Sequence, residues 1–313
     1  MTISAIKRRL KNLGKTIMRS IFELCQKAGL NILPVHYYSE IPNIGELKTS
    51  DYWKKPYSMF GIKGADISGQ LDFVASCCSE SLITRQIKDQ IYNSISGRNG
   101  ECEYGPIEAD FLYAFIFSKR PGKIVQIGCG FSTAVMLMAS EDAGYLPDIL
   151  CIDPYPSKFL ISLAENKKIR LINKKVQLVD LSVITDLGDN GLLFVDSTHT
   201  VRPGSDVNRI ILEVLPRLKK GSMVHFHDIY FPFDYQRHIL STEIFFSNET
   251  ALLYSFLINN SRFELKASLS MLHYADPLGL KKYLPNYTPA GNQYGLETSV
   301  GHFPSSAYME VIE

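Results

Sequence analysis

The sequence predicts an α/β fold built on a largely parallel β-sheet, and three observations lead to this prediction. From about residue 105 onward, short apolar runs alternate with longer segments of helical periodicity. A glycine-rich turn, Gly128-Cys129-Gly130, directly follows the first of these runs. Acidic residues stand at the ends of three later runs, at Asp153, Asp196 and Asp228. In an open α/β sheet ligands bind at the carboxyl ends of the strands, so these residues mark the predicted site.

The first 30 residues form a predicted basic amphipathic helix. Apolar residues recur at steps of three and four from Ile3 to Leu24, and six Lys and Arg residues occupy the other faces. Gly29 and Pro34 end the pattern. One interpretation is a terminal helix packed on its own domain or on a partner subunit, which makes a homo-oligomer expected. The other is attachment to an anionic membrane surface.

Residues 34–103 are predicted to form an N-terminal cap, between the helix at residues 1–33 and a core domain at residues 104–313. Prolines break the cap into short pieces, and it is rich in Tyr, Trp and Phe. Most of these aromatic residues are expected to pack, although some could line an acceptor pocket. Two helices are expected in the cap, at residues 70–76 and 81–94.

The core is expected to alternate strands with helices. Short continuous apolar runs predict buried strands, and amphipathic segments ended by Gly or Pro predict helices. The predicted strands are Lys123–Ile127, Ile149–Ile152, a segment within 169–178, Leu192–Val195 and Met223–Phe226. The predicted helices are 107–118, 131–140, 157–168, 206–218 and 242–258. Two last extended segments are expected at 263–273 and 305–312.

Charge and cysteine content restrict the class of protein. Lys and Arg number 33 and Asp and Glu 32, so the net charge of +1 argues against a dedicated nucleic-acid binder. No apolar run approaches the ~18 residues of a membrane span. The six cysteines form no CxxC pair, and no signal peptide is recognisable. These features predict a cytoplasmic protein, and the basic helix adds peripheral membrane contact as an alternative.

The glycine turn predicts a nucleoside-containing cofactor. The turn lets a ligand approach the backbone, and Asp153, 25 residues after Gly128, can bind two ribose hydroxyls. A dinucleotide site favours a third glycine where Thr133 stands, so NAD(P) is disfavoured but stays open. S-adenosylmethionine has no phosphate and tolerates this turn.

Four segments together carry a family resemblance: VQIGCGFST, CIDPYP, FVDSTH and VHFHDIYFPF. They resemble the class I S-adenosylmethionine-dependent methyltransferases, and within them a bacterial subgroup associated with glycan and natural-product biosynthesis. The resemblance covers about residues 104–312. It implies a Rossmann-like seven-stranded sheet whose last strand is antiparallel, with helices on both faces.

The resemblance also implies cofactor-binding roles, for Gly128, Gly130, Ser132, Asp153, Gln177 and Asp196. The two glycines would pass under the methionyl part of S-adenosylmethionine, and Ser132 would help hold its carboxylate. Asp153 would bind the ribose, and the region from Gln177 to Asp180 would lie at the adenine edge. Gln126 departs from the acid usual before the first glycine, which removes an expected charge contact to the cofactor amine.

A second predicted site joins the ends of two neighbouring strands. Asp196, His227 and Asp228 could converge on a divalent cation, and two carboxylates with an imidazole suit Mg²⁺ or Mn²⁺. His199, with Asp196, is the candidate catalytic pair, because a histidine near neutral pKa suits a general base. The alternatives are that the acids only cap the turns, and that His199 orients Asp196 or binds a substrate hydroxyl.

Three further features have a structural and a functional interpretation. His225 is expected to be a buried structural histidine. Arg202 lies in a predicted loop before a helix and could bind an anionic acceptor. The aromatic segment 231–235 could either wall the acceptor pocket or pack on the core.

The sequence therefore predicts an S-adenosylmethionine-dependent O-methyltransferase acting on a hydroxyl of a sugar, glycan or glycosylated small molecule. A divalent metal and a histidine base would assist. Two alternatives stay open, an NAD(P)-binding oxidoreductase and a non-catalytic cofactor-binding or assembly protein.

Overall fold

A computed structural model describes residues 3–99, 104–241, 245–292, 295–297 and 303–313. The chain divides into two compact units, one ending at Ser50 and one beginning at Asp51. The first unit contains helix α1 (Ile3–Lys27) and the short helix α2 (Ile44–Thr49), which begins where the Asn43 side chain accepts hydrogen bonds from two backbone N–H groups. In the described part of the chain no helix combines the length and apolarity needed to cross a bilayer.

The second unit carries the sheet and the remaining helices. Its helices are α3 (Ile67–Cys77), α4 (Glu80–Asp89), α5 (Ile91–Asn99), α6 (Pro106–Lys119), α7 (Phe131–Asp142), α8 (Lys158–Glu165), α9 (Leu181–Thr185), α10 (Asp206–Arg209), α11 (Glu249–Leu257), α12 (Leu269–Ala275) and α13 (Pro277–Tyr283). Its strands are β1 (Lys123–Ile127), β2 (Asp148–Ile152), β3 (Arg170–Ile172), β4 (Leu192–Val195), β5 (Met223–Phe226), β6 (Phe263–Ser268), β7 (Ala290–Asn292), β8 (Gly295–Glu297) and β9 (Ala307–Val311).

Seven strands form one mixed sheet in the order β3-β2-β1-β4-β5-β9-β6. The first five strands in this order are parallel, and β9 is antiparallel to both β5 and β6. Strands β7 and β8 pair separately. The predicted seven-stranded sheet with an antiparallel last strand is confirmed. The strand order reverses between β1 and β4, which is where open α/β sheets bind ligands.

Helices cover both faces of the sheet, as predicted. Successive residues of a strand point to opposite faces, so Ile124 belongs to one hydrophobic core and Val125 to the other. The first core is formed with α3, α6 and α7, and the second with α11 and the segment that begins at α10. Because both faces are buried, β1 and β4 need largely apolar sequences, and the chain supplies them with buried Gln126 as the polar exception.

Four predicted elements differ from the structure. The helix predicted at 81–94 is interrupted at Gln90, whose left-handed φ of +43° separates α4 from α5. Residues 269–273 are helical rather than extended, because the Ser268 side chain caps α12 by accepting from the backbone N–H of Met271. Helix α11 begins only at Glu249, and the predicted start at 242–244 lies outside the described residues. The helix predicted at 206–218 changes after Arg209 into a π-helical turn and then a 3₁₀ turn.

The turn after β1 touches the end of β4. Gly128 has a φ of +75°, and a Cβ placed on it would lie 1.7 Å from the carbonyl oxygen of Asp196. Only glycine fits this position, because any side chain would overlap the neighbouring backbone. The two predicted sites are therefore joined through direct backbone contact.

Candidate functional site

The glycine turn is organised by the side chain of Gln126, which is fully buried at the end of β1. Its Nε2 donates to Oγ of Ser132 at 2.8 Å and to the carbonyl oxygen of Gly128 at 3.1 Å. Its Oε1 accepts from Oγ1 of Thr133, whose oxygen in turn accepts from the N–H of Gly130. The neutral amide can donate and accept at once, which a carboxylate in this position could not do.

Asp153 ties the end of β2 to the same turn. One carboxylate oxygen accepts from the N–H of Cys129 at 3.2 Å, and the other accepts from the N–H of Tyr155 at 2.7 Å. A carboxylate oxygen has more than one lone-pair site, so each still has capacity for a further hydroxyl donor. The geometry fits the predicted ribose role, which stays a prediction.

A cavity of about 490 Å³ lies where the ends of β1, β2 and β4 meet. Of the predicted cofactor residues, Gly128, Gln177 and Asp196 line it, while Gly130, Ser132 and Asp153 belong to the adjoining turns. Gln177 is held in the wall because its Nε2 donates to the carbonyl oxygen of Gly204. The Ser132 side chain is almost fully buried, so its predicted contact with the cofactor carboxylate stays a prediction.

Four side chains converge beside this cavity, those of Asp196, His199, His227 and Asp228. Oδ1 of Asp196 lies 3.3 Å from Nε2 of His199 and 3.4 Å from Nδ1 of His227. Oδ2 of Asp228 lies 3.7 Å and 3.8 Å from the same two nitrogens. The structure thus brings together every residue of the predicted metal and catalytic sets. We call these four residues the Asp–His cluster.

Two buried glutamates hold the outer edges of the imidazoles. Nδ1 of His199 lies 2.8 Å from Oε2 of Glu249, and Nε2 of His227 lies 3.1 Å from Oε2 of Glu108. Glu249 is fully buried and Glu108 is 2% exposed. Carboxylates placed in this way fix the orientation of a metal-binding histidine, leaving the opposite nitrogen for the ion. Here both opposite nitrogens face Asp196 and Asp228.

The charges of the Asp–His cluster depend on one another. Burial raises the pKa of Asp196, but the two imidazoles outweigh burial and lower it. Burial lowers the pKa of His199, but its contacts with Asp196 and Glu249 raise it to about 10. The pKa of His227 is also raised, because Glu108, Asp228 and Asp196 outweigh burial. Without a bound cation these contacts therefore favour the protonated form of both imidazoles.

The Asp–His cluster fits a divalent cation. Asp196, His199 and His227 each offer a ligand atom, and these atoms lie within 4.8 Å of one another. Ligands about 2.1 Å from an octahedral ion lie about 3.0 Å apart at right angles, close to the spacings seen here. Nδ1 of His227 is buried and makes no hydrogen bond, which leaves a lone pair for an ion once its proton is lost. The two imidazoles and the Asp196 carboxylate suit Mn²⁺ better than Mg²⁺, and Asp228 stands beside them with Oδ2 3.7 and 3.8 Å from the same two nitrogens.

Backbone geometry at the strand ends places these side chains. His199 and Asp228 both have left-handed φ angles, +55° and +54°, which is uncommon for residues other than glycine. The carbonyl oxygen of His199 accepts from the N–H groups of Asn248 and Glu249, so the start of α11 is attached to this loop. Oδ1 of Asp228 accepts from Oγ of Ser305 at 2.9 Å. Strained positions of this kind persist where surrounding contacts enforce them.

The other predicted residues fall into two groups. His225 is fully buried, stacks on Phe194 with ring centroids 4.1 Å apart, and has a pKa lowered by burial, which supports its structural role. Phe231 is fully buried in the second core, so this part of the aromatic segment packs. Arg202 is exposed and lines the 490 Å³ cavity, where a cation can meet an anionic group.

Sequence reasoning missed Glu108 and Glu249. Each lies in a largely apolar helical segment, and an acid within a buried stretch is the signal that could have found it, although α6 contains a second buried acid, Asp110. What the sequence could not show is their partners, because 119 residues separate Glu108 from His227 and 50 separate Glu249 from His199.

Comparison with known proteins supports the enzyme class. Residues 125–229, which contain the glycine turn and the Asp–His cluster, match the family model of a methyltransferase domain. This match confirms the predicted class, a methyltransferase. An uncharacterized protein of Archaeoglobus fulgidus is 28% identical over 189 residues, which are 56% of this chain and 80% of that protein. The predicted glycan and natural-product subgroup is not confirmed by these matches.

Solved methyltransferase structures align over much of the chain. The SAH-bound methyltransferase PaMTH1 of Podospora anserina is 13% identical, covers 91% of this chain and 100% of its own, and has a TM-score of 0.40. A protein assigned as a caffeoyl-CoA O-methyltransferase of Staphylococcus aureus is 12% identical, covers 74% and 98%, and has a TM-score of 0.41. These TM-scores are low, so the fold assignment rests on the strand order described above.

Proposed function

We propose that this protein transfers a methyl group from S-adenosylmethionine to a hydroxyl oxygen, with a divalent cation held by the Asp–His cluster. The observation that carries the proposal is the position of the cluster. It stands within a methyltransferase domain, and Asp196 lies both in the cluster and in the wall of the adjoining cavity. A donor in that cavity and an acceptor at the cluster would be neighbours.

The turn after β1 supports the donor half of the proposal. Its buried hydroxyls are already bonded to Gln126 and to backbone groups, so the helix start is closed by side chains where a pyrophosphate would need open N–H groups. S-adenosylmethionine, which has no phosphate, is compatible with this arrangement. An NAD(P)-binding oxidoreductase, which shares the strand-end acid, is less compatible with it.

The chain's own residues would act by positioning and by charge. Asp196, His199, His227 and Asp228 would hold the cation, and Glu108 and Glu249 would fix the two imidazoles. When bound, such a cation lowers the pKa of a nearby hydroxyl and orients it. Because the sulfonium donor is already activated, alignment of the two reactants supplies most of the remaining rate enhancement.

His199 has two candidate roles under this proposal. Its raised pKa means that it carries a proton in the cation-free protein, and a protonated imidazole cannot accept one. Its Nε2 is also the atom nearest to Asp196. We therefore propose His199 as a cation ligand first, and the predicted role as general base stays the alternative.

The acceptor class is the least constrained part. A sugar, glycan or glycosylated small molecule is proposed from the resemblance of the sequence motifs alone. A panel of free sugars, glycosylated small molecules and simple catechols, each offered with radiolabelled S-adenosylmethionine and Mn²⁺, tests this class. Transfer to the catechols only would reject it while leaving the O-methyltransferase proposal intact.

Two binding measurements test the core of the proposal. Calorimetric titration with S-adenosylhomocysteine and with NAD should give binding of the first and none of the second. Titration of chelator-treated protein with Mn²⁺ and Mg²⁺ should give tighter binding of Mn²⁺, and Asp228→Asn should weaken it. The matched control is Asp189→Asn, a change at an exposed loop residue. Binding of NAD in place of S-adenosylhomocysteine would overturn the proposed donor, and indifference to both cations would overturn the proposed site.

A further inference from the structure

Helix α1 exposes a continuous apolar face along its described length. Leu13, Ile17, Ile21 and Leu24 recur at steps of four, four and three, which places them on one side of the helix. Between 43% and 69% of each of these side chains is exposed. Isolated exposed apolar residues are ordinary, but an aligned row of them on one helix face indicates a binding surface.

The same unit continues this apolar surface beyond the helix. Further exposed aliphatic and aromatic side chains lie in the segment after the helix, at Leu30, Ile32, Leu33, Val35, Tyr37, Tyr38 and Ile41. Tyr37 is the most exposed of them at 94%, followed by Tyr38 and Val35 at 83% each. Tyrosine pairs an apolar ring with a polar tip, which suits the boundary between lipid chains and water.

Cationic side chains accompany the apolar face. Helix α1 contains seven Lys and Arg residues and a single acid, Glu23, which is paired with Arg19 at 2.8 Å. With about 100° per residue, Lys7 lies on one flank of the apolar face, and Arg9 and Lys27 lie on the other. All three are exposed. Cations on both flanks of an apolar face are the arrangement of helices that lie in an anionic lipid surface.

A second copy of the chain is a poorer occupant of this face. Two such helices would bring seven cationic residues against seven, with one acid each to offset them. Heptad spacing does not decide between the occupants, because Ile3, Leu10, Ile17 and Leu24 recur every seven residues while the row that contains Leu13 continues to Ser20 and Lys27. The charge of the helix therefore favours an anionic partner over itself.

From these observations we propose that α1 and the segment up to Ile41 dock the protein on an anionic lipid surface, with the helix axis parallel to the bilayer. The helix, about 37 Å long at 1.5 Å per residue, lies at the headgroup level rather than spanning. Leu13, Ile17, Ile21 and Leu24 enter the acyl boundary, and the flanking side chains of Lys7, Arg9 and Lys27 meet the phosphates.

The test uses the full chain and vesicles of phosphatidylcholine with and without phosphatidylserine. Cosedimentation should detect binding only to vesicles that contain phosphatidylserine, and added salt should weaken it. The paired change Ile17→Asp and Ile21→Asp should lower the partition coefficient about a hundredfold. The control, Asn12→Asp with Gln26→Asp, adds the same charge at exposed positions on the opposite face of the same helix and should have the smaller effect.

A third variant keeps the test decisive if the apolar-face variant unfolds. Lys7→Gln, Arg9→Gln and Lys27→Gln together should lower partitioning about fivefold per charge, with an unchanged melting temperature. Equal losses in the apolar-face variant and its control would overturn the proposal, as would binding to neither vesicle. A self-association that sedimentation velocity detects and that Ile17→Asp with Ile21→Asp abolishes, without any vesicle binding, would assign the face to a second copy instead.

Discussion

Nδ1 of His199 lies 2.8 Å from Oε2 of Glu249, a fully buried carboxylate in the first turn of α11. The contact determines which imidazole nitrogen remains for the Asp–His cluster. Because the carboxylate engages Nδ1, Nε2 is the atom that faces Asp196 and Asp228. His199 is therefore oriented before any cation or substrate arrives.

Removing the charge of Glu249 should weaken cation binding without affecting the cofactor. We expect Glu249→Gln to raise the dissociation constant for Mn²⁺ about ten- to hundredfold, because the imidazole loses its fixed orientation and part of its basicity. Affinity for S-adenosylhomocysteine should be nearly unchanged. Calorimetry on the chelator-treated protein measures both constants.

The matched control for this change is Glu213→Gln. Glu213 forms an ion pair with Arg217 at 2.8 Å, and both side chains are well exposed. Surface pairs of this kind contribute little, so the control should bind Mn²⁺ as the unchanged protein does. A loss of the same size in both variants would show that Glu249 has no special role.

Asp153 should determine cofactor affinity. We expect Asp153→Asn to reduce S-adenosylhomocysteine affinity at least about tenfold, because a charge-assisted hydrogen bond to a ribose hydroxyl is lost and the bond from Cys129 is weakened. Asp148→Asn is the control, since Asp148 begins the same strand and forms an exposed pair with Arg170. If the two variants bind the cofactor equally well, Asp153 does not contact the ribose.

Gly128→Ala should damage both halves of the site at once. The added methyl group would overlap the carbonyl oxygen of Asp196, and alanine disfavours the left-handed φ of this residue. We expect a loss of about 2–4 kcal/mol in the free energy of unfolding, together with weaker binding of S-adenosylhomocysteine and Mn²⁺. Chemical denaturation and calorimetry measure these effects.

Gly122→Ala provides the comparison for that variant. A Cβ at Gly122 would have no atom within 4 Å, so its unfolding free energy should change by less than about 0.5 kcal/mol. If Gly128→Ala were as stable as Gly122→Ala and bound S-adenosylhomocysteine and Mn²⁺ as tightly, the close approach at Gly128 would not be needed for the site.

Cation binding should release protons and strengthen with rising pH. Without the cation, the pKa of His199 is about 10, so a proton occupies the imidazole at neutral pH and competes with the ion. We expect the affinity for Mn²⁺ to increase steadily from pH 6 toward pH 9. Calorimetry in buffers of different ionisation enthalpy counts the protons released, and a pH-independent affinity with no proton release would contradict this charge assignment.

The same raised pKa of His199 predicts that the cation-free protein becomes less stable as the pH rises, whereas cation binding becomes stronger. Because the folded-state pKa of His199 lies above its unfolded value of about 6.5, protonation stabilises the fold fully below that value. This stabilisation is lost as pH rises through about 10. With chelator present, the unchanged protein should have a higher free energy of unfolding than His199→Gln at low pH. This difference should decrease as the pH rises from about 6.5 to about 10.

The sequence predicted the bounds of β1, β4 and β5 to the residue, because strands buried on both faces are continuous apolar runs between polar turns. It did not predict the late start of α11 or the helix α12. Helix α12 begins where the backbone N–H of Met271 donates to Ser268, a local bond that competes with apolar periodicity and is not visible in it. At the start of α11 the N–H groups of Asn248 and Glu249 donate to the carbonyl oxygen of His199, about 50 residues earlier in the chain, and such a contact cannot be read from the sequence.

The candidate site, like the fold, could be predicted only in part from the sequence. The residues at strand ends could be identified, because parallel strands bring their carboxyl ends to one edge of a sheet. Glu108 could not be linked to His227 in this way, since it reaches the cluster from a helix that precedes the whole sheet. Contacts that depend on how a helix packs on the sheet need the three-dimensional arrangement.

The backbone contact between Gly128 and Asp196 has a consequence for how the activity could diversify. Under the proposed function, the turn that would hold the donor and the strand end that would hold the cation meet main chain to main chain, so the spacing of these two backbone segments would be set by peptide geometry. A new acceptor could be accommodated by changing exposed residues such as Arg202 at the rim, with the transfer distance conserved. The range of acceptors could then change through mutation while the geometry of the transfer stays the same.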